Sequence, residues 1–206
     1  MQPNLKYEKL ADDKTVEETV ASLRANNIEA VVVETGNQAK EKVLSMIPKK
    51  AEVMTMSSQT LEQTGIDEAI NKSSEYDAVK PKLWAMDRNT QARQMAKLGA
   101  APDWVIGSVQ AITKDGKIVI ASNTGSQLSA EAYAGGKVIF VVSTKKIVED
   151  LDEAMKRIYE YSFPKENERA KKVYGMPSGV NKILIINKEV FPGRITVILV
   201  KEDLGY

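Results

Sequence analysis

Apolar positions recur along this chain with two alternating periods. Between residues 12 and 26, Val16, Val20 and Leu23 fall at i, i+4 and i+7, which places one stripe on an α-helix, and Asp12 or Asp13 supplies a capping oxygen. Ile28 to Glu34 contains Val31-Val32-Val33, a short β-branched run of the kind found in strands covered on both faces. Gly36 breaks that run. Ala39, Val43, Leu44 and Ile47 then form a second helical stripe, which Pro48 stops because it has no N–H to continue the ladder. Ala51 to Met56 reads as another strand, followed by the polar turn Ser57-Ser58-Gln59-Thr60 and a helix through Leu61 and Ile70. A further helix is predicted over 85–98, with Gly99 as its C-cap.

The second half changes rhythm. Trp104-Val105-Ile106 is a short buried element. Ala111 to Thr113 and Lys117 to Ala121 flank Lys114-Asp115-Gly116, a hairpin signal. A small-residue helix over 126–133 precedes a strand at 137–143. Residues 146–174 read as helix, with Ile147, Leu151, Met155 and Ile158 on one stripe and Pro164 as an interruption. Strands at 183–187 and 195–201 follow, joined through Phe191-Pro192-Gly193-Arg194. Strands alternating with helices predict an α/β fold, a three-layer αβα arrangement around a mixed, mostly parallel sheet. The hairpin and the terminal strand pair supply its antiparallel portion. A length of 206 residues fits a single domain over 1–206, with helix 12–26 as an appendage.

Composition narrows the chemistry sharply. The chain has no cysteine and no histidine, so it offers no thiolate nucleophile, no imidazole base and no ordinary zinc or iron–sulfur ligand set. No carboxylate cluster shows metal-ligand spacing, and neither metal nor cofactor is expected. Lys and Arg total 29 against 28 Asp and Glu, a balance that recruits neither nucleic acid nor an anionic membrane. The N-terminus lacks a basic region followed by an apolar run, and the longest apolar runs, such as Val138 to Val142, are strand-sized. A cytoplasmic protein is expected.

Ligands in open α/β sheets collect at the carboxyl ends of parallel strands. Two strand-to-helix junctions carry suitable groups: Ser57, Ser58, Gln59 and Thr60, then Asn123, Thr124, Gly125 and Ser126. Their hydroxyls and free amides suit an anion, although helix capping alone also explains them. Neither junction contains a P-loop or a G-x-G-x-x-G pattern. Arg88 and Arg93 are bidentate candidates for a carboxylate or phosphate, with surface pairing as the plainer alternative. Asp103 and Glu131 are the candidates for acid–base work.

The segment Ala111 to Ser122 with Gly125-Ser126 and the strand from Lys137, the stretch Ser57 to Ile66, and the ending Lys182 to Lys188 with Pro192-Gly193-Arg194-Ile195-Thr196 together resemble the lactate-utilisation (LUD) domain family, from about residue 12 onward. The resemblance implies the fold shared by ribose-phosphate isomerases, glucosamine-phosphate deaminases and CoA-transferases. It also implies a role in oxidising lactate to pyruvate beside iron–sulfur oxidoreductase subunits, this chain being similar to the small cluster-free component. A small anionic metabolite (lactate, pyruvate or a sugar phosphate) is the implied ligand, and a homo-oligomer is compatible with it. An isomerase-like or CoA-transferase-like enzyme stays open, as does an interaction scaffold without a ligand. Where the isomerases carry a Gly-Ala-Asp before the hairpin, this chain has Gly107-Ser108-Val109, which lacks that carboxylate; Asp103 or Glu131 would have to replace it.

Overall fold

A computed structural model describes residues 2–206; Met1, the first residue of the N-terminal segment, lies outside the described residues. A 3-10 turn at Leu5–Glu8 opens the chain. Then follow α1 (Asp13–Ala25), β1 (Glu29–Val33), α2 (Gly36–Met46), β2 (Glu52–Thr55), α3 (Gln59–Gln63), α4 (Ile66–Asn71), β3 (Asp77–Ala78), α5 (Val79–Ala85), α6 (Arg88–Ala100) and β4 (Trp104–Gly107). The remainder comprises β5 (Ala111–Thr113), β6 (Ile118–Ser122), β7 (Lys137–Ser143), β8 (Ile147–Val148), α7 (Leu151–Arg157), α8 (Phe163–Tyr174), β9 (Lys182–Ile186) and β10 (Ile195–Val200).

Six strands form one sheet in the order β1-β10-β7-β4-β2-β3, and every pairing in it is parallel. The antiparallel pairings all lie in a second sheet, β8-β5-β6-β9, where β6 runs against both β5 and β9. The fold is thus α/β with its mixed character in a separate sheet. β9 and β10 sit in different sheets and are not partners, because β10 enters between β1 and β7.

The strand alternation decides what each face of the large sheet covers. Val138, Phe140 and Val142 on β7, with Val197 and Leu199 on β10, pack against Val16, Val20 and Leu23 of α1 and against Ile112, Ile118 and Ile120 of the small sheet. Ile139, Val141, Ile198 and Val200 face the other way, onto Ala39 and Val43 of α2 and onto Leu61, Ile66 and Ile70. The small sheet turns its second face, Ala111 and Val119, toward Ala154, Ile158, Tyr161 and Tyr7. Helix α1 is therefore part of the main core, and α7 adds a layer beyond the three expected.

Local chemistry explains most element ends. Asp12 accepts from Thr15 N–H to cap α1, and Thr35 with Gln38 forms a capping box on α2. The helix expected through Leu61 and Ile70 is two short ones, since Gly65 enters the left-handed region with φ 69°. Gly99 does not cap its helix; α6 begins at Arg88, capped by Asp87, and runs to Ala100. Between α7 and α8 the helical path continues through a π turn at Ile158–Ser162. Pro164 cannot donate to Glu160 O, and that carbonyl instead accepts Asn4 N–H at 2.9 Å, tying the N-terminal segment to this helix.

Candidate functional site

Three adjacent parallel strands, β2, β4 and β7, end side by side. Past each end the chain delivers one polar side chain to a common point: Thr60 from α3, Ser108 directly after Gly107, and Lys146 at the close of the 3-10 turn Thr144–Lys146. Lys146 Nζ lies 3.1 Å from Ser108 Oγ, 3.3 Å from Thr60 Oγ1 and 3.1 Å from the Val109 carbonyl oxygen. Ser108 Oγ is 3.3 Å from Thr60 Oγ1, closing a triangle. Thr60 and Lys146 are buried, with 1% and 2% exposure, whereas Ser108 is half-buried.

The segment Asp203–Tyr206 straps over this triangle. Gly205 adopts φ +61°, and a Cβ there would collide with Thr60 Oγ1, so the backbone approaches as closely as only glycine allows. Its N–H donates to Gln63 Oε1 at 2.7 Å, and Tyr206 donates its hydroxyl to Glu166 at 2.5 Å.

A cationic wall stands behind the triangle. Lys145 is 5% exposed, pairs with the mostly exposed Asp203, and lies 3.4 Å from the Tyr161 hydroxyl. Arg157 is fully buried; its Nη1 donates to Gln110 O and, at 2.9 Å, to Ser162 Oγ. Its guanidinium sits 5.1 Å from the Tyr161 ring centre, while Nε and Nη2 have no hydrogen-bond partner. Burial lowers the Arg157 pKa to about 10. Burial, then the Arg157 and Lys145 charges, pushes the Lys146 amine well below the ordinary lysine range. Among the described residues, neither Lys146 nor Arg157 has a carboxylate within salt-bridge distance.

Glu131 approaches from another side. It sits on a π turn, Ala130–Ala134, with Oε1 directed at Gly107 and Oε2 unpartnered. Burial raises its carboxyl well above the usual glutamate range. Arg194 fixes this turn: its guanidinium donates to the carbonyls of Glu131 and Ala132, both at 2.9 Å, and of Gly135 at 3.1 Å. Glu189 balances that charge through a buried pair at 2.7 Å.

The expected residues scatter around this centre. Of the first junction, only Thr60 reaches it; Ser57 is exposed, Ser58 accepts from Leu61 N–H as the cap of α3, and Gln59 donates to Glu62. Asn123, Thr124, Gly125 and Ser126 lie at the end of β6, in the small sheet. There Asn181 donates to Asn123, Lys182 donates to the Thr124 carbonyl, and Gly125 N–H donates to Ser122. No hydrogen bond joins the two junctions among the described residues; the second reaches the centre only by leading into the turn that bears Glu131. Arg88 and Arg93 are exposed on α6, a helix with no buried residue. Asp103 is exposed at the start of β4, about 13 Å of strand from Gly107. Sequence reasoning passed over Ser108, Lys145, Lys146 and Arg157. The available signal was charge in apolar company: Lys145-Lys146 between a buried strand and Ile147-Val148, and Arg157 beside Ile158 on a core-facing helix.

A family model described as the LUD domain matches residues 16–200. No curated protein matches the sequence. Among solved structures, a DUF162 family protein from Deinococcus radiodurans superposes with a TM-score of 0.53 at 13% identity, over 93% of this chain and 99% of that one. At that identity the likeness concerns the fold.

Proposed function

From the premise that this chain belongs to the LUD family, which is associated with lactate utilisation, we propose that it binds a small organic anion of the lactate or pyruvate kind beside Thr60, Ser108 and Lys146. One observation carries the reading: the Lys145 and Arg157 cations are buried together behind the Lys146 amine, and the nearest paired carboxylate, Asp203, is largely in solvent. A buried surplus of positive charge with unpartnered guanidinium N–H groups is costly unless an anion completes it. A carboxylate does so with the fewest atoms. Because this chain has no cysteine or histidine, the proposed role in lactate oxidation is that of an accessory beside a separate iron–sulfur oxidoreductase.

Calorimetry with lactate, pyruvate, inorganic phosphate and ribose phosphate tests this. The expected result is binding of the first two, weakened about tenfold or more by Lys146→Met, which removes the positive charge that a bound anion draws onto this enclosed amine. Arg93→Ala and Thr124→Ala leave the affinity unchanged. An anion next to Lys146 raises its proton affinity, so binding takes up a proton, visible as a buffer-dependent heat. Absence of binding by any of these anions overturns the reading.

Glu131 favours a second reading, a sugar-phosphate isomerase-like enzyme in which a protonated buried carboxyl beside Gly107 moves the proton. Turnover of ribose phosphate that is lost in Glu131→Gln would support it over the first.

A further inference from the structure

Within the polar triangle the three side chains differ in reach. Lys146 and Thr60 are enclosed, and only Ser108 is partly open. Lys146 is enclosed by three partners, which leaves Ser108, the partly open member, as the group placed to meet a substrate carbon.

The three partners also fix how protons are shared. The Val109 carbonyl can only accept, and a neutral amine has two hydrogens and one lone pair. Donating to Val109 O and Thr60 Oγ1 leaves the lone pair for the Ser108 O–H, and every contact is satisfied. An ammonium would make the same contacts, but it would set a third buried cation beside Arg157 and Lys145 without a counter-ion. The neutral amine is the form this surrounding favours.

We propose that Ser108 and Lys146 form a nucleophile and base pair that accepts an acyl group from an activated carboxylic ester or thioester. Ser108 Oγ, 3.1 Å from the amine, attacks the acyl carbon as its proton passes to Lys146 Nζ. The tetrahedral centre collapses with cleavage of the C–S or C–O bond, and Lys146 returns that proton to the departing thiolate or alkoxide. An acyl-serine remains. Water or a second nucleophile attacks it, giving its proton to Lys146, which passes it to Ser108 as the serine leaves. Thr60, held 3.3 Å from both atoms, orients the amine. No oxidant, reductant or metal enters the sequence.

The test uses the full-length protein and p-nitrophenyl acetate as acetyl donor, read by nitrophenolate release and by the mass of the peptide containing Ser108. The expected result is a burst of one nitrophenolate per chain and one acetyl group on that serine. Ser108→Ala abolishes it, and Lys146→Arg, which retains a cation but no basic lone pair, slows it about 100-fold or more. In wild type alone, the labelling rate falls as acid protonates Lys146, which needs no variant to fold. Wild-type protein unlabelled at Ser108, or labelled equally fast in Lys146→Arg, overturns the pair. The organic-anion reading fails or stands separately: lactate binding with an unlabelled Ser108 overturns only the acyl step, and labelling without lactate binding supports it.

Discussion

An amine enclosed by two hydroxyls and a carbonyl, with a glycine pressed over it, depends on small groups meeting without slack. Gly205 is where that tightness is most exposed to test. Its φ of +61° already disfavours any side chain, and a Cβ would also strike Thr60 Oγ1. Gly205→Ala is expected to destabilise the fold by about 1–3 kcal/mol in urea unfolding, because the strap must lift or the turn must strain. Unchanged stability would mean that the strap does not rest on Thr60. Arg194 is the second residue on which much depends. It is 8% exposed, pairs with Glu189 and holds three carbonyls of the Glu131 turn. Arg194→Met leaves the Glu189 carboxylate buried and alone, a loss of about 3–5 kcal/mol measured in the same way. Glu189→Gln with Arg194→Met recovers part of that loss, since the orphaned charge is gone.

Among the elements, α6 stands apart. None of its 13 residues is buried, and Gln91 departs from helical geometry with φ −118°. Amide hydrogen exchange is expected to run fastest there among the long helices, and slowest in α2, where Ala39 and Val43 are fully buried. Equal protection in the two would mean that α6 is covered in solution. The exposed face of α6 also shows why its boundary was hard to read. Helical propensity carries across 79–100, but packing does not mark where α5 stops, so Asp87 as a cap decides it. Where apolar stripes meet a core, as at Val16-Val20-Leu23 or along β7, the pattern alone located the element. Of the second sheet only the β5–β6 hairpin was legible, because antiparallel pairing of β6 with β9 joins residues sixty or more positions apart, and nothing local marks it. The site was half legible for a related reason. Thr60 was found as a polar residue where a strand gives way to a helix, and Glu131 as a candidate for acid–base work. Lys146 and Arg157 were hidden because a charged side chain in an apolar stretch reads as surface until the stretch is shown to be enclosed, and Ser108 because a lone hydroxyl after a strand carries no signal of its own.

For the molecule as a whole, the absence of histidine makes neutral pH unusually quiet, since no side chain here has an ordinary pKa between about 5 and 8. The surface carboxylates act lower down. Glu8, Glu68 and Glu153 are held below the usual glutamate range by hydrogen bonds from Lys165, Lys72 and Lys156, Glu153 to about 2. Their stabilisation is complete above the unfolded value near 4.5 and is lost as the pH falls toward the folded values. Two buried groups act above that range, with opposite signs. Glu131 is raised by burial, so the folded chain keeps a proton that the unfolded chain has released, and stability declines as the pH climbs from about 4.5 toward the folded value. Lys146 is lowered, so the unfolded chain keeps the extra proton; its contribution is complete above 10.5 and is lost as the pH falls toward its folded value. Urea unfolding at unit steps from pH 4 to pH 9 separates the two. Glu131→Gln, which presents a neutral amide where the wild type must hold a proton, is expected to match wild type at pH 4 and to gain on it with rising pH, by up to about 1.4 kcal/mol for each pH unit spanned. A constant difference between the two proteins across that range would show that Glu131 is solvated in the folded chain. Water would then reach the carboxyl beside Gly107, and the isomerase-like reading would lose its raised acid while the Ser108–Lys146 pair kept its geometry.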